Sequence, residues 1–120
     1  MIGSTRQVAV YAYAAVTDMR KSFDTLSLLV TQGLGRDVLS GDLFLFVSKN
    51  RRRAKVIYWD GTGLCVFAKR LERGRFAAPW ERGNGKELRL TMSELALLIE
   101  GSELVGKVPL SPTAFVLPTP

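Results

Sequence analysis

LFLFVSKNRRRAKVIYWDGTGLCVFAKRLERGRF, residues 43–76, is the stretch from which the fold is read. Two apolar runs, Leu43–Val47 and Val56–Trp59, flank the basic loop Ser48–Arg53, and a third run, Leu64–Ala68, follows the turn Asp60-Gly61-Thr62-Gly63. Val, Ile, Phe, Tyr and Trp dominate these runs and suit a pleated, half-buried surface. Glycine supplies the positive φ that such turns need. The pattern predicts a three-stranded antiparallel meander that presents positive charge from its loops.

Outward from this stretch, the alternating Val8–Ala14 predicts a first strand. Thr17 or Asp18 suits an N-cap, and Phe23, Leu26, Val30 and Leu34 recur at helical spacing. The spacing predicts a helix over Met19–Gly33, ended by Gly33 and Gly35. Arg20 and Lys21 then fall in its first turn, the unfavourable end of the helix dipole for cations. Ser40-Gly41-Asp42 is turn chemistry. Arg75 and Phe76 fit the start of a short strand, and Glu87–Leu90 fits a strand at a sheet edge. Thr91-Met92-Ser93-Glu94 forms a capping box that opens a second, short helix over Met92–Glu100. The predicted fold is α+β: an antiparallel sheet of about five strands, a longer N-terminal helix packed on one face, and a short C-terminal helix closing an end or edge. Residues 1–101 are expected to form one compact domain and residues 102–120 an extended, proline-rich tail. The expected core is Phe23, Leu26, Val30, Phe44, Phe46, Ile57, Cys65, Phe67, Leu95 and Leu98.

Composition narrows the chemistry. The 120 residues include no histidine and one cysteine, Cys65, inside an apolar run. Ser-His-Asp and Cys-His catalysis therefore lack their usual base, and a structural zinc site lacks ligands. Cys65 reads as a small apolar residue rather than a nucleophile, and a single cysteine fits a reducing cytoplasm. No apolar run approaches the roughly 20 residues that cross a bilayer, so no membrane partner is expected. Val8–Tyr11 is too short for the core of a signal peptide.

The net charge is +6 and the isoelectric point about 9.9. From Lys49 to Arg89, 12 Lys or Arg face 4 acids, an excess of 8. The basic character thus belongs to the sheet region and favours an acidic partner such as nucleic acid. The candidate phosphate ligands are Arg20, Lys21, Lys49, Arg51, Arg52, Arg53, Lys55, Lys69, Arg70, Arg73 and Arg75. Tyr58, Trp59, Phe67, Phe76 and Trp80 interleave with them, and core packing is the expected role of Phe67 and of one of Tyr58 and Trp59.

Several segments resemble one family. Thr17-Asp18-Met19-Arg20-Lys21-Ser22-Phe23-Asp24, with Leu26 and Leu29-Val30 after it, is similar to the N-terminal signature of the TnpB accessory proteins of insertion-sequence family sixty-six. Leu43-Phe44-Leu45-Phe46, Lys55–Asp60, Gly63–Val66 and Lys69–Phe76 resemble the same family, and the likeness covers Val8 to Gly101. (The RNA-guided nuclease of the same name is unrelated.) Ala15-Val16 stands where the family often has Gly-Pro, and the loop Ser48–Arg53 and the tail are individual to this chain. The resemblance implies a protein of a mobile element that works beside a separate transposase. It supplies no catalytic residues and no cofactor.

Three readings follow. One is a non-catalytic factor for transposition that binds DNA at the element ends through the basic hairpin and sheet. A second is a module that docks on the transposase, with the tail as its docking segment and little direct binding to DNA. The third is a metal-dependent nuclease using Asp18, Asp24, Asp42 and Asp60, which requires these scattered carboxylates to converge.

Overall fold

A computed structural model describes residues 7–101. Its strands are β1 (Val10–Val16), β2 (Leu43–Val47), β3 (Arg53–Trp59), β4 (Leu64–Arg70) and β5 (Glu87–Leu90). Helix α1 (Phe23–Leu28) runs on into a π-helical turn, Leu29–Gly33, and α2 spans Met92–Ile99. The strands form one sheet in the order β4-β3-β2-β1-β5. The meander β2-β3-β4 and the edge position of β5 are as expected. The sheet as a whole is mixed, however, because β1 and β2 pair in parallel while β1 and β5 pair antiparallel. A helix stands between β1 and β2, so the chain returns to the same end of the sheet before β2 starts. Such a crossover makes its two strands parallel.

Both faces of the sheet are buried. Phe44, Phe46, Tyr11 and Ile57 pack under Leu26, Val30 and Leu34 of the α1 segment. Leu45, Val47, Val10, Ala12, Ala54 and Val56 pack on the opposite side with Leu71, Phe76, Ala77, Leu95 and Leu98. Thus α2 covers a second face rather than closing an end. The run Leu43–Val47 lacks apolar-polar alternation for this reason: β2 is central and has no solvent side.

The N-terminal helical segment is shorter than its periodicity predicts. The Asp18 carboxylate accepts from the Arg20 backbone N–H at 2.9 Å and from its guanidinium, and Lys21 N–H donates to the Asp18 carbonyl at 3.1 Å. This local turn removes Asp18 from any capping role. Ser22 is the N-cap instead, its N–H donating to Thr25 Oγ1 at 2.8 Å. Arg20 and Lys21 precede the helix, so no conflict with its dipole exists. Phe23, at the first helical position, is 47% exposed rather than in the core. At the other end, Leu34 N–H reaches the Leu29 carbonyl at 3.0 Å, and Gly33 lies against the Tyr13 ring.

Cys65 and Phe67 also leave the expected core: β4 is an edge strand, Cys65 is half-buried and Phe67 is 45% exposed. Phe76 is fully buried in an irregular segment rather than in a strand. The capping box at α2 forms as expected, with Thr91 N–H on Glu94 Oε1 at 2.8 Å and Glu94 N–H on Thr91 Oγ1 at 3.0 Å. Among the described residues no helix is long and apolar enough to cross a membrane.

Two interactions fasten β5 to the rest. Gly83 passes so close that a Cβ there would lie 2.6 Å from the Glu87 carbonyl oxygen. Arg36 donates two hydrogen bonds to the Glu87 carboxylate, at 2.9 and 2.7 Å, and its guanidinium carbon lies 3.7 Å above the Tyr11 ring. That bidentate partner holds the Glu87 carboxyl below its ordinary value. Gly83→Ala should destabilise the fold by about 1–3 kcal/mol, since backbone must move. Gly63→Ala, with open space at its Cβ position, should stay within about 0.5 kcal/mol in chemical denaturation. Glu87→Gln should cost about 1 kcal/mol at neutral pH, a modest figure because Arg36 still reaches solvent. A depressed carboxyl stabilises above its unfolded value and loses that stabilisation as pH falls through the folded one. The gap between wild type and Glu87→Gln should therefore narrow as denaturation is repeated below pH 4.5, the ordinary value of the group.

A candidate nucleic-acid interface at one end of the sheet

The β2–β3 hairpin is built by its loop side chains. Ser48 Oγ donates to Asn50 Oδ1 at 2.8 Å and accepts from Arg53 N–H at 3.1 Å, while Arg52 N–H donates to Asn50 Oδ1 at 3.0 Å. Arg51 takes the left-handed conformation with φ 62°, uncommon for a residue with a side chain. The chain beyond β4 is laced to this loop. Leu71 N–H donates to the Arg52 carbonyl at 2.8 Å, and Phe76 N–H to the Arg51 carbonyl at 2.7 Å. Arg51 Nε donates back to the Phe76 carbonyl at 2.7 Å. Residues 73 and 75 are thereby held beside residues 51–53.

The topology gathers most of the sequence candidates here. Arg53 pairs across the strands with Arg70, and Ala54 with Lys69. The hairpin loop carries Lys49 and Arg52, and the laced segment carries Arg73 and Arg75. The turn after β1 adds Arg20 and Lys21, because Thr17 N–H donates to the Val47 carbonyl at 3.0 Å. Lys55 joins this turn to the sheet, its Nζ donating to the Lys21 carbonyl at 2.7 Å. Between turn and sheet runs a groove of about 490 Å³, lined among others by Met19, Arg53, Lys55, Lys69 and Arg70.

Within this group the side chains divide by occupation. Arg20 forms an exposed ion pair with Asp18 at 2.7 Å, which lowers the Asp18 carboxyl to about 2 through hydrogen bonds from the Arg20 side chain and backbone. Arg70 pairs with Glu72 at 3.1 Å, also in solvent. Lys55 is spent on a backbone carbonyl and Arg51 on the Phe76 carbonyl. Lys49, Arg52, Arg53, Lys69, Arg73 and Arg75 have no ion-pair partner among the described residues. Lys86 joins the same end, since its carbonyl accepts from Ala14 N–H at 3.1 Å near the end of β1. The charge excess over 49–89 includes Lys86, but only strand pairing shows that it reaches this end.

The far end of the strands carries Asp42 and Asp60, with Arg89 beside Asp60. Asp42, whose carboxylate accepts from Ala9 N–H at 3.0 Å, precedes β2. Asp60 follows β3 and accepts from the backbone N–H groups of Thr62 and Gly63, both at 2.9 Å, which lower its carboxyl to about 2. Among the described residues no three His, Cys, Asp or Glu side chains come together as metal ligands. Asp18 and Asp60 serve separate turns, and Asp42 tethers the start of β1. The interleaved aromatics are mostly structural: Phe76 is buried, and Tyr58 and Trp80 pack against the α2-side core. The tail 102–120, with its expected docking role, lies outside the described residues.

Comparison with known proteins agrees with the sequence resemblance. The chain is 38% identical over 101 residues to the uncharacterized protein y4hO of Sinorhizobium fredii (strain NBRC 101917 / NGR234), covering 84% of this chain and 86% of that protein. It is 34% identical over 101 residues to the uncharacterized protein y4jC of the same organism, covering 84% and 85%. No solved structure matches. The family described as IS66 Orf2 like protein matches residues 8–108, so the chain belongs to that family of insertion-sequence accessory proteins.

Proposed function

We propose that the protein is a non-catalytic accessory factor of transposition that binds DNA by its phosphates, through the basic end of the sheet. The observation that carries this reading is the convergence of Lys49, Arg52, Arg53, Lys69, Arg73 and Arg75 on one end of a hydrogen-bonded scaffold, without ion-pair partners among the described residues. Cations presented this way neutralise phosphates and release counterions, with no need to read bases. The DNA of the element ends is the expected partner, a separate transposase acts beside it, and the cytoplasm is the compartment.

The test is a mobility shift on element-end DNA and on unrelated DNA over a salt series. Affinity should be similar for both sequences. Replacing Arg52 and Arg53 together with Ala should weaken binding to both and lower the log-log salt slope by about 2, one for each phosphate that is no longer neutralised. Thermal stability should change little, because exposed charges contribute little. Arg51→Ala should behave differently. It removes a charged hydrogen bond to the Phe76 carbonyl and should cost about 1–3 kcal/mol of stability. No shift with either DNA, or an unchanged slope in the double variant, would overturn the reading.

A further inference from the structure

The sheet has two edges, and they differ. β5 is an edge of four residues. β4 is an edge of seven, and among the described residues it pairs only with β3. That register runs without a bulge from Arg53 opposite Arg70 to Trp59 opposite Leu64. The bonds just beyond each end show which backbone groups it uses: Asp60 N–H donates to the Gly63 carbonyl at 3.1 Å, and Leu71 N–H to the Arg52 carbonyl at 2.8 Å. Bonded pairs recur at every second residue of an antiparallel ladder, so 65, 67 and 69 turn their backbone toward β3. Leu64, Val66, Ala68 and Arg70 therefore point their N–H and C=O groups outward. Proteins ordinarily blunt such an edge with charge, proline or a bulge. Leu64–Ala68 carries none of these, and Phe67 is 45% exposed at the middle of the strand.

The strand is complementary to itself. Laid antiparallel against a second copy about a two-fold axis at Phe67, it sets Leu64 opposite Arg70 of the partner copy and Val66 opposite Ala68. Outward backbone thus meets outward backbone, and this centre alone pairs all seven residues. Phe67 meets its own counterpart at a non-bonded position, where side chains stand closest and aromatic pairs stabilise. No like charges oppose each other. Lys69 meets Cys65, Arg70 meets Leu64, and both cations come toward the Asp60 turn of the partner copy.

We propose that two copies of the chain pair edge to edge along β4, antiparallel about Phe67, so that their sheets become one. The interface is isologous, as in most homodimers. Antiparallel pairing points the two basic ends in opposite directions. The dimer then holds two duplexes, one at each end, a consequence that rests on the DNA-binding reading above.

Sedimentation velocity without DNA tests the pairing. The wild-type chain should pass from monomer to dimer as concentration rises. Ala68→Pro removes an outward N–H that the monomer does not use, at an edge position where proline is tolerated. It should raise the dissociation constant by about tenfold or more, since each dimer loses two hydrogen bonds. Phe67→Lys sets two cations opposite each other, should weaken the dimer likewise, and carries the comparison if proline disturbs folding. In Lys69→Cys, mild oxidation should link the introduced thiol to Cys65 of the partner copy. Within one copy the two positions lie about 13 Å apart along the strand, too far for a disulfide. In the wild type the two Cys65 thiols are offset by at least as much and should link far more slowly. A wild-type chain that stays monomeric up to about 100 µM would overturn the proposal. So would an Ala68→Pro chain that folds and dimerises as tightly as wild type, or equal linking of wild type and Lys69→Cys. Capture of a second, labelled duplex on DNA-coated beads tests the bridge. Ala68→Pro should keep the mobility shift and lose the capture; undiminished capture would overturn the bridge. No mobility shift at all would overturn the bridge together with the DNA reading, while sedimentation still decides the pairing.

Discussion

A strand without a polar face has to be covered on both sides, and β2 is such a strand. Phe44 and Phe46 point to one side, Leu45 and Val47 to the other, and all four are fully buried. Burying side chains of this size contributes about 1.5–3 kcal/mol each, so exposing either face is too costly for a small domain. The α1 segment must therefore lie on one side, and α2 with the 71–80 segment on the other. The parallel pairing of β1 with β2 follows from the first requirement, because the covering helix is also their connection.

The same constraint sorts the charges. Once both sheet faces are occupied by apolar cover, Lys and Arg remain solvated only at the ends and edges of the strands. The chain alternates direction through β2, β3 and β4, so loops of one parity share an end. The hairpin loop Ser48–Arg52 and the segment after β4 fall together, and the intervening Asp60 turn falls opposite. Segregation of charge is thus a consequence of where the loops fall, although the residues themselves lie scattered over more than fifty positions.

The same physics separates what is legible in the sequence from what is not. Short apolar runs rich in β-branched and aromatic residues, with the Asp60-Gly61-Thr62-Gly63 turn between two of them, locate β2, β3 and β4, and the reciprocal chemistry of Thr91 and Glu94 locates α2. The basic cluster is visible as a charge excess because its members sit in local loops of adjacent strands. The parallel pairing is not visible, since no local pattern in Val10–Val16 states which neighbour it takes. Helical periodicity at Phe23 is real, but periodicity does not distinguish a buried first position from an exposed one. The Asp18-to-Arg20 turn defeats the capping expectation for a related reason: an Asp before a helix serves a turn as readily as a cap. For Phe67, β-propensity is right and burial wrong, because propensity does not reveal that a strand is an edge.

Arg51 shows where charge and structure separate. In sequence it is one of three equivalent arginines, each offering the same cation. In the fold its backbone adopts φ 62° and its guanidinium spans to the Phe76 carbonyl, while Phe76 is itself fully buried. Its neighbours contribute only backbone to this lacing. A loop held by main-chain bonds and by the side chains of Ser48, Asn50 and Arg51 leaves the side chains at 52, 53, 73 and 75 outside its own lacing. Rigid placement of the loop, rather than the number of arginines in it, is what turns a basic sequence into a surface of fixed shape.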